Sequence, residues 1–225
     1  MQFDEELAKV LPPDIPHRDI LIEKSSRHLQ LIEQANAFMN LTRITNPREA
    51  AIKHVLDSVA PWRYFKDAKR VLDAGTGAGF PGIPLALVLP EVRFVLAESV
   101  QKKARFVDAA VESLHLPNVY VSAERAEERA LVQRPDIITA RAVAPLHKLL
   151  DLFEKAMKMG GAQLILYKGP EIEAEIAEIR NATINAEVVE HYQLPDNMGT
   201  RTLVRISSAN AERAELHRRA HTMRQ

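Results

Sequence analysis

The sequence predicts a doubly wound α/β fold, a seven-stranded sheet with its last strand antiparallel, behind an N-terminal helical cap. Three observations predict it. From Lys69 onward short apolar runs alternate with helical stretches, the pattern of βαβ units whose parallel strands are buried on both faces. A glycine-rich segment, Val71 to Gly82 (VLDAGTGAGFPG), lies between the first of those runs and the next helix, where open α/β sheets bind ligands. The last two runs, AEVVEHYQ and RTLVRIS, are joined by LPDNMGT, too short for a crossover helix, so they form an antiparallel hairpin.

Taken in order, residues 18 to 39 place Leu21, Ile22, Leu29, Ile32, Ala35, Phe38 and Met39 at three- and four-residue intervals, the stripe of an amphipathic helix. A second helix starts at Asn46, which can cap its first turn, with Pro47 in the first helical position and Glu49 favouring the positive end of the dipole. It is expected to run to about Tyr64. Strands follow at VLDA, VRFVLAE, NVYVSA, DIITA and AQLILYK, separated by helices over Val100 to Leu114 and Leu146 to Met157; Gly160 and Gly161 end the latter. A further helix near Ile172 to Ile179 precedes the hairpin. The chain is thus expected to divide into a cap at 1–66, a ligand-binding domain at 67–207 and a basic helix or tail at 208–225.

Composition narrows the function. With 225 residues, 46% of them apolar, the chain can bury one substantial core. It has no cysteine, hence neither disulfides nor a thiolate metal site, which suits a reducing compartment. The start, MQFDEEL, is acidic where a secretory leader is basic, and the longest apolar run, GIPLALVLP, is short and broken by prolines. The expectation is a cytoplasmic protein with no membrane partner and no metal. Thirty basic and thirty acidic residues cancel, which argues against a chain-wide positive field. From Arg201 onward, however, six arginines face only Glu212 and Glu215, with His217 and His221 added; a solvated tail and an RNA contact both fit this end.

The glycine segment carries the chemistry. Gly75, Gly77 and Gly79 let the backbone turn tightly and approach a ligand. Glu98, ending the next strand twenty-three positions after Gly75, can accept hydrogen bonds from both ribose hydroxyls of an adenosine. Gly77, Gly79 and Gly82 also fit a dinucleotide fingerprint, but Gly75 comes directly after the strand and Asp73 ends it. The frame DxGxGxG is the one found in methyltransferases, where a carboxylate near the loop can meet the cofactor's amino group. A nicotinamide enzyme would need a hydride-acceptor site and a proton donor, and neither is visible.

The run DAGTGAGFPGIPLA, with NLT at Asn40 to Thr42, HVLDS at His54 to Ser58, ARA at Ala140 to Ala142 and YKG at Tyr167 to Gly169, closely resembles the RsmG (GidB) family over roughly residues 30 to 206. The chain departs from the family in having Ala35 where a tryptophan often stands, and in a longer tail after Ile206. The resemblance implies a class I methyltransferase fold, S-adenosylmethionine as cofactor, and transfer of its methyl to N7 of a guanine in 16S ribosomal RNA or the small ribosomal subunit, by a monomer. It also implies cofactor contacts at Gly75 and Phe80 in the loop, at Ala126 and Glu127 after the third strand, and at Arg141 after the fourth.

Guanine N7 has a free in-plane lone pair and no proton, so its attack needs no general base, and no catalytic acid or base is assigned. Arg141 could hold the cofactor, or the guanine O6 and a phosphate. Lys168 is a candidate phosphate contact, and His54, Asp57 and Ser58, at spacings of three and four, form one helical face that could lie at the substrate mouth. Two other functions stay open on the residues alone: a methyltransferase acting on another RNA, a protein or a small molecule, and a non-catalytic RNA-binding module.

Overall fold

A computed structural model of the chain describes residues 2–179 and 183–208. Seven strands form one sheet in the order β3-β2-β1-β4-β5-β7-β6. They are β1 (Arg70–Ala74), β2 (Arg93–Ala97), β3 (Val119–Ser122), β4 (Ile137–Arg141), β5 (Gln163–Lys168), β6 (Ile184–Gln193) and β7 (Thr200–Ser208). The first five are parallel; β7 runs antiparallel to β5 and pairs with β6 as a hairpin. The chain order reverses between β1 and β4, so the carboxyl ends of these two strands flank a crevice, the position at which open α/β sheets bind ligands.

The central strands form because Val71, Leu72, Leu96, Ile138, Leu164 and Leu166, branched and apolar, are buried between helices on both faces. On one face Leu146, Leu149, Phe153 and Met157 of the helix Leu146–Gly160 cover the sheet. Gly161 ends this helix in the left-handed conformation, φ 71°, its N–H returning to the last turn. On the other face the cap and the sheet share a single core: Leu21, Leu29 and Ile32 of the cap pack with Ile83, Leu85 and Phe94.

The cap differs from expectation in two places. A helix over Gln2–Val10 precedes the two expected ones and buries Phe3, Leu7 and Val10; that stripe at intervals of four and three was present in the sequence, behind a terminus read only for its charge. The first expected helix, Arg18–Met39, forms as drawn, although Phe38 near its end is 81% exposed. The second does not run to Tyr64. Asn46 caps it as expected, accepting from Glu49 N–H at 3.1 Å, but after Pro47–Ala50 the chain takes a π-helical turn, Ala51–Leu56, then a last α-turn, Asp57–Val59. Pro61 follows, cannot continue the ladder, and leaves Trp62–Tyr64 as a separate 3₁₀ turn. π-turns are rare and cluster at functional sites, and this one carries His54.

Among the described residues no helix is long and apolar enough to cross a membrane, and no group of three or more His, Cys, Asp or Glu is placed to hold a metal ion. The expected basic tail, apart from Ser208, lies outside the described residues.

Candidate active site

Strand ends β1, β2 and β3 build one half of the site. Gly75 and Gly77 have φ of 69° and 62°, so the loop after β1 turns back on itself in the left-handed region that side chains disfavour. At Gly77 a Cβ would meet nothing nearer than Gly75 O at 4.0 Å, whereas at Gly82 it would strike Leu96 Cδ2 at 2.1 Å. Gly77 therefore borders an open hollow, and Gly82 exists for packing. Asp73 is fully buried and fixes the loop: its Oδ2 accepts from Thr76 Oγ1 at 2.6 Å and Gly82 N at 2.9 Å, while Oδ1 is buried with no partner. Burial pushes its pKa up to about 6, against the two hydrogen bonds that lower it. Asp73 thus turns inward, and the amino-group contact considered for it would need the loop to open.

Glu98 directly follows β2, beside that hollow. Its Oε2 accepts from Gly77 N at 3.1 Å and Oε1 from Val100 N at 2.8 Å, and each oxygen keeps a second lone pair. Glu98 N in turn donates to Ser122 O at 3.0 Å, which holds the end of β3 alongside; Ala126 and Glu127, half-buried, open the next helix, Ala126–Gln133. A hollow at Gly77, a carboxylate on its rim and two strand ends beyond it fit a nucleoside-bearing cofactor. Two of the expected contacts are less accessible than the sequence implied. Gly79 is buried, with a Cβ position 2.6 Å from Ile83. The Phe80 ring is also turned inward, between His28 at 4.9 Å and His54, stacked at 4.6 Å, so any ligand contact of Phe80 runs through its backbone.

The other half of the site is a cavity of about 420 Å³ at the ends of β4, β5 and β7. Its basic groups are Lys53, Arg141, Lys168 and Arg201, and its one acid is Asp57. Asp57 is 1% exposed and acts as the hub: Oδ2 accepts from Arg141 Nη1 and Arg201 Nε, both at 3.2 Å, and Oδ1 from Tyr192 Oη at 3.0 Å. Arg141 Nη1 also donates to Lys53 O at 2.8 Å, and its guanidinium lies 5.6 Å from the Phe80 ring. Burial and the Asp57 charge raise the Tyr192 phenol, and burial raises that of Tyr167, whose Oη donates to Ser58 O at 2.7 Å. Lys168 Nζ donates to Ala144 O at 2.8 Å, and burial lowers its pKa. Between the two halves Ala142 adopts φ 55° and sends Val143 across Gly75, to 3.1 Å from a Cβ position there.

The predicted face of the second helix is split by its packing. His54 and Asp57 line the cavity. Ser58 does not: it is fully buried, its Oγ donates back to His54 O, and its carbonyl serves Tyr167. A residue at the domain side of a buried helix has no route to the mouth. His54 Nε2 lies 3.0 Å from Thr42 Oγ1, and Thr42 is held by Asn36 through both backbone groups, which gives the NLT motif a structural task. Desolvation lowers His54 to about 3 and His28 to about 4, so both rings are neutral at physiological pH. Arg201 and Tyr192 were missed from sequence. Their signal was the hairpin: because β7 is reversed, its first residues, not its last, reach the carboxyl edge beside Lys168, as the register Lys168↔Thr202 shows.

The model of the family described as rRNA small subunit methyltransferase G (GidB) matches residues 21–204. The chain belongs to this family. The ribosomal RNA small subunit methyltransferase G of Solibacter usitatus is 56% identical over 210 residues, 92% of this chain and 100% of its own. That of Carboxydothermus hydrogenoformans is 37% identical over 194 residues, 81% of each. Among solved structures the fold is shared with an O-methyltransferase from Bacillus cereus in complex with SAH, at TM-score 0.55 and 18% identity, covering 81% of this chain and 90% of that one. It is shared as well with cofactor-bound Rv0187 from MTB, at TM-score 0.57 and 17% identity, covering 88% and 99%. Within the methyltransferase G family match fall all the residues of both half-sites, and none of the basic segment after Ser208.

Proposed function

We propose that this chain transfers a methyl group from S-adenosylmethionine to N7 of a guanine in 16S ribosomal RNA, acting in the cytoplasm as a monomer. The observation that carries the reading is the juxtaposition, on one edge of the sheet, of an open glycine hollow rimmed by Glu98 with a cavity whose charged groups are four cations around one buried acid. S-adenosylmethionine, when bound, supplies an electrophilic methyl on a sulfonium sulfur. Glu98 holds the ribose through its spare lone pairs, and the backbone of Ala126 and Glu127 meets the adenine. Lys53, Lys168 and Arg201 attract the phosphates of the RNA, and Arg141, gripped by Asp57, presents its remaining N–H groups to the acceptor base.

The chain's residues act by positioning, which can supply roughly 7 to 11 kcal/mol of a barrier. His54, with a pKa of about 3, is too weak a base to take a proton at neutral pH, and an N7 acceptor asks for none. The test is incubation of the protein with labelled cofactor and, separately, small subunits lacking the mark, naked 16S RNA and unrelated RNA, with the product mapped by mass spectrometry. One labelled guanine, at N7, is expected; equal labelling of unrelated RNA or label at a hydroxyl would overturn the reading.

A further inference from the structure

At the amino ends of β1, β2 and β3, on the edge of the sheet opposite the site, lies a groove of about 660 Å³. Its cations are Arg70, Arg93 and Arg129, and its one acid is Glu91. Arg70 and Arg93 are register partners on adjacent parallel strands and so share one face of the sheet. Like charges placed side by side repel, and neither guanidinium has an ion-pair partner among the described residues. Tyr120, the register partner of Val95, lies on that same face, since Val95 stands two positions after Arg93. It is 54% exposed, and the Arg129 guanidinium sits 5.1 Å from its ring. Arg129 Nε is buried without a partner, and its Nη1 reaches Glu124 Oε2 only at 3.4 Å.

We propose that this groove is a second RNA contact, seating a single-stranded stretch of the RNA that carries the target base. A single strand is held by cations that follow its phosphates and by aromatic faces on which its bases stack, and both are present here. Arg70 and Arg93 meet the phosphates, whose charge relieves the repulsion between them, and a base stacks on the pair formed by Tyr120 and Arg129. An acidic protein surface fits less well. The apolar lining residues Phe94 and Val95 are buried, so the groove offers none of the aliphatic core around which protein interfaces are built. Arg70 and Arg93 open the strands whose far ends, Ala74 and Ala97, lead into the cofactor half of the site, about 13 Å of strand away. An RNA anchored on this edge therefore meets the protein at two separated places, and the first contact raises the effective concentration at the second. The ligand class rests on the ribosomal RNA reading; the seat rests on the groove.

The test irradiates the full chain with 16S RNA containing 4-thiouridine and maps the adducts by tryptic mass spectrometry, while fluorescence anisotropy follows binding of a labelled single-stranded oligoribonucleotide across a salt series. An adduct on the peptide of residues 106–125, which contains Tyr120, is expected. Tyr120→Ala should bind the oligoribonucleotide about tenfold more weakly and Tyr120→Phe as the unaltered chain does, because the ring and not the hydroxyl makes the stack. Arg93→Met should lower the salt slope by about one. Both positions are exposed, and matched melting curves and cofactor affinities establish that the fold and the cradle are kept. None of these readouts needs methyl transfer, so failure of the methylation reading leaves them interpretable. Adducts confined to other peptides, unchanged affinity in Tyr120→Ala, or an unchanged slope in Arg93→Met each overturn the proposal. So does displacement of the oligoribonucleotide by polyglutamate as readily as by unlabelled RNA of equal charge, which would make an acidic protein the partner.

Discussion

The two halves of the site are built in opposite ways. The half at β1 to β3 is a backbone device: left-handed glycines, a fixing carboxylate at Asp73 and a rim carboxylate at Glu98, all within 26 residues of one another in the chain. The half at β4, β5 and β7 is a side-chain device, in which Asp57 gathers Arg141, Tyr192 and Arg201 from positions 84 to 144 residues away. The first half is local, and its two carboxylates act on backbone N–H groups of the loop itself. The second depends on one buried charge, and losing that charge leaves two guanidiniums without their counter-ion.

The largest effect expected is therefore at the hub. Asp57→Ala should cost about 3 to 5 kcal/mol in denaturant unfolding and abolish methylation, whereas Asp57→Asn, which keeps the volume and one acceptor, should cost less. A loss confined to activity, with stability unchanged, would break the distinction between the halves. Next comes the cradle. Gly77→Val places a branched side chain at positive φ in the hollow and should weaken cofactor binding in calorimetry more than about a hundredfold while costing about 1 to 2 kcal/mol of stability. Gly82→Ala should show the reverse balance, since its Cβ meets Leu96 and not the hollow.

The buried rings give a pH signature. His28 and His54 have folded pKa values below the ordinary 6.5, so the unfolded chain binds more protons and stability falls as pH drops below about 6.5 toward 4 and 3. Asp73, raised to about 6 from 3.8, works in the other direction, losing stability as pH rises between about 4 and 6. Two histidines outweigh one aspartate, so unfolding free energy should be lower at pH 5 than at pH 7, each histidine contributing about 2 kcal/mol. His54→Phe should flatten the curve, and Asp73→Asn should steepen it. The smallest effect is at the rim: Lys168→Met should weaken RNA binding a few-fold and reduce its salt dependence by about one unit of slope, with cofactor affinity unchanged.

Legibility in the sequence follows the same division. The strands, their order of appearance and the hairpin were readable because each strand is a short apolar run set within its own segment, and the length of each connection separates a crossover from a hairpin. The glycine loop and Glu98 were readable because a turn and a strand end have fixed offsets. Ser58 was placed wrongly because helical spacing gives a face but not which side of it the core covers, and a six-residue π-turn such as the one that carries His54 is too short to leave a repeat in the sequence. Arg201 looked like the start of a basic tail, although a reversed last strand was already expected and would have put it at the working edge.

By itself the sequence determined the class of fold and the glycine turn after β1, since strand, helix and turn signals rest on interactions between near neighbours, and its motifs carried the family. Only the tertiary structure decided which charged groups face one another, because burial of Asp57 beneath two arginines is a property of the packed strands and cap together, and no residue pattern along the chain encodes the low dielectric that makes that hub matter.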